Sequence, residues 1–230
     1  VTNSDLCPLC GKCAEVCPTL ATEMSGQYRS VAELVRIIEK ERPFFDQSGG
    51  GVTFSGGEPL LYPEFLVRLL DACGRKNIHR AIDTSGHVKA DTLLEVAEHT
   101  DLFLYDLKLI DAQRHKDYTG VDNQLILNNL RLLAESGAAI QVRIPLIGGV
   151  NDDLESVKAF AGFIAGLAGE SKAVNLLPFH DVARGKDDKL GQERDLSSLR
   201  EPGDESVARA IGIFREYGLY AGIGGCFLCF

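Results

Sequence analysis

Positive charge is scarce in this chain: 24 lysines and arginines stand against 33 aspartates and glutamates, a formal net charge of −9 with a pI near 5.1. That balance argues against a phosphate-binding surface, and no dense Lys/Arg run with interleaved aromatics restores one, so no nucleic-acid partner is expected. Long apolar runs are missing too. None approaches the roughly 20 residues that cross a bilayer, and the opening VTNSDLCPLC has neither the basic flank nor the apolar core of a secretory signal. A cytoplasmic protein without membrane contact is the expectation. Cysteine is too sparse and too uneven for a disulfide scaffold: of seven, four fall at positions 7, 10, 13 and 17, one at 73, and two at 226 and 229. Such clustering suits a metal centre better than a set of staples.

What is present, 45% hydrophobic and 25% charged residues over 230 positions, suffices for one sizeable core with a small appendage. After Gly26 short β-branched or aromatic runs alternate with helical patterns, the mark of repeated βα units and a parallel sheet. Ser30 and Glu33 form a capping box ahead of Val31, Leu34, Val35 and Ile38, predicting a first helix to about Arg42. Strands are predicted at 51–55, 79–83, 102–106, 140–144, 174–178 and 219–223. The helices between them begin at Pro63, near 90–98, at 123–136 with Gly137 closing, near 153–167 and at 204–217. Leu66, Leu69, Leu70 and Cys73 share one helical face, which makes Cys73 a core residue. Periodicity alone does not separate a barrel from an open sheet. The stretch from His180 to Pro202, with Gly185, Lys186, Asp187, Asp188 and Lys189, reads as a long polar loop of the kind that is usually functional or mobile.

The run Cys7-Pro-Leu-Cys10-Gly-Lys-Cys13-Ala-Glu-Val-Cys17-Pro18 follows the bacterial ferredoxin spacing C-x2-C-x2-C-x3-C-P, in which closely spaced thiolates wrap a 4Fe–4S cube and the fourth ligates a second cluster. Zinc held by four thiolates is the alternative reading. A second set of polar residues lies at strand ends. Ser55-Gly56-Gly57-Glu58-Pro59 follows the first strand, where two glycines let a ligand approach the backbone and Glu58 offers a carboxylate; alone, the same residues suit a tight turn with a solvated glutamate. Asp83-Thr84-Ser85-Gly86, Asp106-Leu107-Lys108, Arg143 and His180 follow at later strand ends. Singly, these residues suit a cap, a structural ion pair, a solvated arginine and a structural histidine. Together they line one edge, which in barrels and half-barrels is the ligand-binding edge. A zwitterionic amino-acid ligand fits that mixture, with Glu58 facing its ammonium and Lys108 its carboxylate. The apolar IGGCFLCF around Cys226 and Cys229 has no basic neighbour to stabilise a thiolate, so that pair reads as buried or incidental.

In this order, GGGVTFSGGEPLLYPEF, AIDTSG, DLFLYDLK, VRIPLIGGVND and LLPFH resemble the glycyl-radical enzyme activating enzymes of the radical S-adenosylmethionine (SAM) superfamily, and the likeness runs from residue 7 to about 225. The cysteine run places the chain near the members that carry a ferredoxin-like insert. The resemblance implies an α/β fold, a partial (β/α)6 TIM-like barrel over 27–230 behind a 4Fe–4S segment over 1–26. It further implies SAM contacts from Gly56, Gly57, Glu58, Thr84, Ser85, Asp106, Leu107, Lys108, Arg143 and His180, with Asp83 and Asp106 beside a monovalent cation. Cys7, Cys10, Cys13 and Cys17 would ligate one or two auxiliary clusters, to relay an electron or serve as a docking platform. The partners implied are a glycyl-radical enzyme and a flavodoxin- or ferredoxin-type electron donor. One departure is large: the family's CxxxCxxC loop, which binds the SAM cluster, occurs nowhere in these 230 residues. The chain is therefore expected to begin inside the insert, to lack the first barrel strand, and alone to bind SAM poorly and not cleave it. The competing readings are a radical SAM enzyme acting on a small molecule and a noncatalytic iron–sulfur electron-transfer module.

Overall fold

The fold comes from a computed structural model, which describes residues 6–8, 10–19, 21–22, 24, 26–169, 172–180 and 199–224. Its helices are α1 (Lys12–Glu15), α2 (Val31–Glu39), α3 (Arg42–Ser48), α4 (Pro63–Gly74), α5 (Ala90–Ala97), α6 (Ala112–Thr119), α7 (Gln124–Glu135), α8 (Leu154–Ala165) and α9 (Asp204–Glu216). Its strands are β1 (Gly51–Phe54), β2 (His79–Thr84), β3 (Leu102–Asp106), β4 (Ile140–Leu146), β5 (Ala173–Pro178) and β6 (Ala221–Ile223), with a 3-10 turn at Pro59–Leu61 after β1.

All six strands fall where the alternation placed them. The capping box is present, with Ser30 Oγ accepting from Glu33 N and Ser30 N donating to the Glu33 carboxylate at 2.8 Å. Helix α1, a single turn inside the cysteine run, was not expected, and the helices before β1 and after β3 also differ from expectation. Helix α2 ends at Glu39, because a proline ring at 43 clashes with the carbonyl four residues back, and α3 restarts with Pro43 in its first turn. Helix α6 was not foreseen: among its residues only His115 is buried, so it shows no apolar periodicity, although Asp111 caps it by accepting from Arg114 N at 2.7 Å.

The strands pair in parallel in the order β1-β2-β3-β4-β5-β6. A doubly wound sheet reverses direction once from its starting strand; this one winds a single way, which is barrel topology. The arc therefore forms a partial TIM-like barrel. Its core is one cluster that packs Ile82, Phe103, Tyr105, Val142, Ile144, Val174 and Leu176 of the strands against Leu70, Leu93, Leu130, Leu133, Phe160 and Phe214 of the helices. Cys73 is wholly buried with Val35, Leu69 and Ile78 in a second cluster under α2, as its place on the helical face predicted. Side chains alternate between faces along each strand, and the register pairs Thr53 with Ala81, Asp83 with Leu104, Asp106 with Arg143, and Arg143 with Asn175. Thr53, Asp83, Asp106, Gln141, Arg143 and Asn175 thus share the face turned away from the helices, so the inner face is polar where the outer is apolar. Of the long loop, residues 181–198 lie outside the described residues; near its end Arg200 pairs antiparallel with Gly148. Cys226 and Cys229 also lie outside them.

Candidate functional site

The C-terminal edge of the sheet is organised around Glu58. Its Oε1 accepts from Thr84 Oγ1 at 2.7 Å and Leu60 N at 3.2 Å, and its Oε2 from Ser85 N at 3.0 Å and Ser85 Oγ at 2.8 Å. The carboxylate is not the solvated group of a simple turn: partly buried, it ties the loop after β1 to the loop after β2. Thr84 and Ser85 spend their hydroxyls on the same tie. The two preceding glycines stay open: apart from the adjoining residues, no atom of the described residues lies within 4 Å of where a side chain would begin at Gly56 or Gly57, and Gly56 has φ +101°, a backbone that favours glycine.

Gly86 serves differently. Its φ is +70°, and a Cβ there would lie 1.8 Å from Tyr105 Oη. That hydroxyl is buried, donates to the Ile126 carbonyl at 2.8 Å, and is pushed above its ordinary pKa by burial.

Inside the arc, Asp83, Arg143 and Asp106 form a row. Arg143 Nη1 meets Asp83 Oδ2 at 2.8 Å, and Ser55 Oγ donates to the same oxygen at 3.1 Å. Arg143 Nε lies 3.4 Å from Asp106 Oδ1, near enough to pair electrostatically yet too poorly aligned for a hydrogen bond, so both atoms are buried without a hydrogen-bond partner. Gln141 Nε2, one layer below, is also buried and unsatisfied. Burial pushes the Asp106 carboxyl up, against the opposing pull of Arg143 and Lys108. Unmet polar atoms of both signs in a water-poor setting are costly unless a ligand or water completes them. Lys108 is exposed beside this row, while the Leu107 side chain is core and its N–H donates to the Arg143 carbonyl at 2.8 Å. His180 stands apart, exposed and paired through Nδ1 with Glu201 at 3.2 Å.

The four cysteines of the N-terminal run are free thiols, Cys10 and Cys13 exposed, Cys7 and Cys17 half-buried. The Thr19 hydroxyl beside Cys17 holds that thiol below its ordinary pKa, which favours the thiolate that metals require. Among the described residues no three His, Cys, Asp or Glu side chains are gathered so as to hold a metal ion. The match of this run to a cluster rests on donor chemistry and spacing. Nor, among the described residues, is any helix long and apolar enough to cross a membrane.

Three asparagines escaped the sequence reading. Asn129 lies in the buried stripe of α7 with Ile126, Leu130 and Leu133, and an amide in an apolar stripe is the signal that marks it. Asn123 and Asn151, each 1% exposed, sit in loops where no periodicity points to them.

Residues 7–161 match the family described as the radical SAM superfamily, which uses SAM and a 4Fe–4S cluster. The chain is 43% identical to trans-4-hydroxy-L-proline dehydratase activating enzyme of Clostridioides difficile over 89% of this chain and 68% of that one. To choline trimethylamine-lyase activating enzyme of Oleidesulfovibrio alaskensis it is 38% identical over 87% and 65%. The chain thus spans about two thirds of the length of these curated relatives. Among solved structures, a domain of pyruvate-formate lyase-activating enzyme from Bacteroides vulgatus superposes with TM-score 0.67 at 42% identity, covering 76% of this chain and 99% of that domain. These relatives favour the catalytic reading over an electron-transfer module. With the single-direction arc and its polar inner edge, they settle the family: the chain belongs to the radical SAM superfamily, among the activating enzymes of glycyl-radical enzymes.

Proposed function

We propose that the complete protein acts in the cytoplasm as an oxidoreductase that installs a glycyl radical on a partner enzyme, drawing its electron from a flavodoxin- or ferredoxin-type donor. SAM and a reduced 4Fe–4S cluster supply the chemistry: one-electron cleavage to methionine and a 5′-deoxyadenosyl radical, which takes a hydrogen atom from a glycine Cα. The observation that carries this reading is the inner-edge row, where Asp106 Oδ1 and Arg143 Nε are buried and lack hydrogen-bond partners beside an exposed lysine and two open glycines.

A zwitterion fits that row with its ammonium on Asp106 and its carboxylate on Lys108 and Arg143. Gly56 and Gly57 leave room for the rest of SAM, and Leu107 contributes backbone only. Glu58, Thr84 and Ser85 hold the binding loops in register. Asp83 keeps the Arg143 guanidinium in place, and His180, exposed two residues beyond β5, is the remaining SAM contact in this reading. Because that guanidinium already stands between Asp83 and Asp106, a monovalent cation there would enter by displacing it. Residues 1–26 form the auxiliary-cluster segment, with Cys7, Cys10, Cys13 and Cys17 as ligands, and 27–230 form the barrel.

The test is anaerobic iron and sulfide analysis with electron paramagnetic resonance, on these 230 residues and on the protein extended upstream to include a CxxxCxxC loop, each with and without SAM. The extended protein should show a reduced-cluster signal that changes with SAM, and should release 5′-deoxyadenosine. It should also raise a glycyl-radical doublet on one of the partners that its relatives' names point to, trans-4-hydroxy-L-proline dehydratase first. A cluster signal indifferent to SAM would overturn the proposal.

A further inference from the structure

The loops that leave β2, β3 and β4 are each pinned by the side-chain amide of a buried asparagine. Asn129 Nδ2 donates to the carbonyls of Gly86 at 2.8 Å and Val88 at 2.7 Å. Asn123 Nδ2 donates to those of Leu109 and Ile110, both at 2.8 Å. Asn151 Nδ2 donates to those of Lys108 at 3.0 Å and Pro145 at 2.7 Å, and its Oδ1 accepts from Ile147 N at 2.8 Å. A primary amide carries two N–H donors, and at each position both go to carbonyls near a strand exit. Buried backbone carbonyls that lack a ladder partner need such donors.

Asn151 differs from the other two in what it joins. Asn123 and Asn129 each brace one loop from a helix or its cap. Asn151 spans two, linking the carbonyl of Lys108, after β3, to that of Pro145, two residues beyond Arg143 on β4. Lys108 and Arg143 are the two cations placed against the ligand carboxylate; β3 and β4 stay in register as far as Asp106 and Arg143, where Leu107 N bonds the Arg143 carbonyl at 2.8 Å, and Asn151 adds a side-chain tie just past that point. We infer that Asn151 is a positioning residue, which fixes the separation of Lys108 and Arg143 by tying together the backbones that carry them. This inference rests on the reading of the inner edge as the SAM site. It predicts that an acceptor-only side chain of the same shape fails there: Asn151→Asp sets a carboxylate against two carbonyls and loses both donors.

The experiment uses the complete protein with its clusters reconstituted, and measures SAM affinity by titration alongside the melting temperature. Asp101→Asn, at the opposite edge of the sheet and far from the ligand edge, supplies a control for destabilisation that does not reach the ligand edge. Asn151→Ala and Asn151→Asp should each weaken SAM binding about tenfold, while Asp101→Asn leaves it within about twofold. Asn151→Ser, which keeps one donor, should fold and lie between. A Kd for Asn151→Ser or Asn151→Asp equal to that of the unmodified protein would overturn the positioning role, as would a loss no larger than the control's. If the unmodified protein does not bind SAM, the functional reading falls, and this inference with it.

Discussion

Replacing Gly86 with alanine puts a methyl group into space that Tyr105 already fills. Three costs add. Alanine at φ +70° is disfavoured by about 1–2 kcal/mol. A Cβ lying 1.8 Å from Oη, 2.2 Å from Cζ and 2.6 Å from Cε2 of Tyr105 must drive the ring aside, an overpacking cost of about 1–3 kcal/mol. Moving the ring also breaks the bond from Tyr105 Oη to the Ile126 carbonyl and leaves a buried hydroxyl donor unpaired, worth about 1–3 kcal/mol. A loss of roughly 3–8 kcal/mol is a large part of the ~5–15 kcal/mol by which domains are stable, and at this size its lower end alone lowers the melting temperature by about 6–12 °C. Thermal unfolding followed by circular dichroism is the assay. Tyr105→Phe alone should cost ~1 kcal/mol. It should not rescue Gly86→Ala, because two ring carbons remain inside contact distance. A drop below about 3 °C in Gly86→Ala, or full rescue in the double variant, would refute the packing argument.

Asp101 is held below the usual carboxylate range by the Arg80 guanidinium, which bonds it at 2.7 and 2.8 Å, and by Arg80 N at 2.8 Å. Its ionised form therefore stabilises the fold above its unfolded pKa. Asp101→Asn should cost ~1 kcal/mol at neutral pH, discounted for an ion pair that is partly solvated, and denaturant titrations should show that gap closing as pH falls below about 4. Asp106 has the opposite sign. Burial raises its pKa, so the charge it carries at neutral pH opposes folding, and Asp106→Asn should raise the melting temperature by about 2–4 °C. The gain should shrink toward acid, where the native carboxyl is itself neutral. A gain that grows on acidification would contradict the buried setting assigned to Asp106.

The strands and most helices were legible because each βα unit writes a period into the chain. Val52 and Phe54, or Phe103 and Tyr105, must alternate with inner-face residues for the sheet to bury one side, and Leu66, Leu69, Leu70 and Cys73 must recur at helical spacing to cover it. Helix α6 buries only His115 among its residues and so wrote no such period. That Asp83, Asp106 and Arg143 fall at one edge was legible for the same reason as the strands. The pairings within it were not: that Arg143 meets Asp83 and Asp106 depends on register between strands far apart in sequence, and that Glu58 turns inward depends on Thr84 and Ser85 arriving from another loop. Both are long-range facts, and local pattern does not carry them.

The inward turn of Glu58 bears on how loss of function at this loop is to be interpreted. Four donors converge on its two oxygens, from Thr84, Leu60 and twice from Ser85, so the position demands a group that only accepts. A glutamine of nearly identical shape would bring an N–H pair against N–H and O–H donors, and the two loops it rivets would part. An inactive glutamine variant would then be a mechanical failure in the frame around the ligand, in a residue that need not touch the ligand at all.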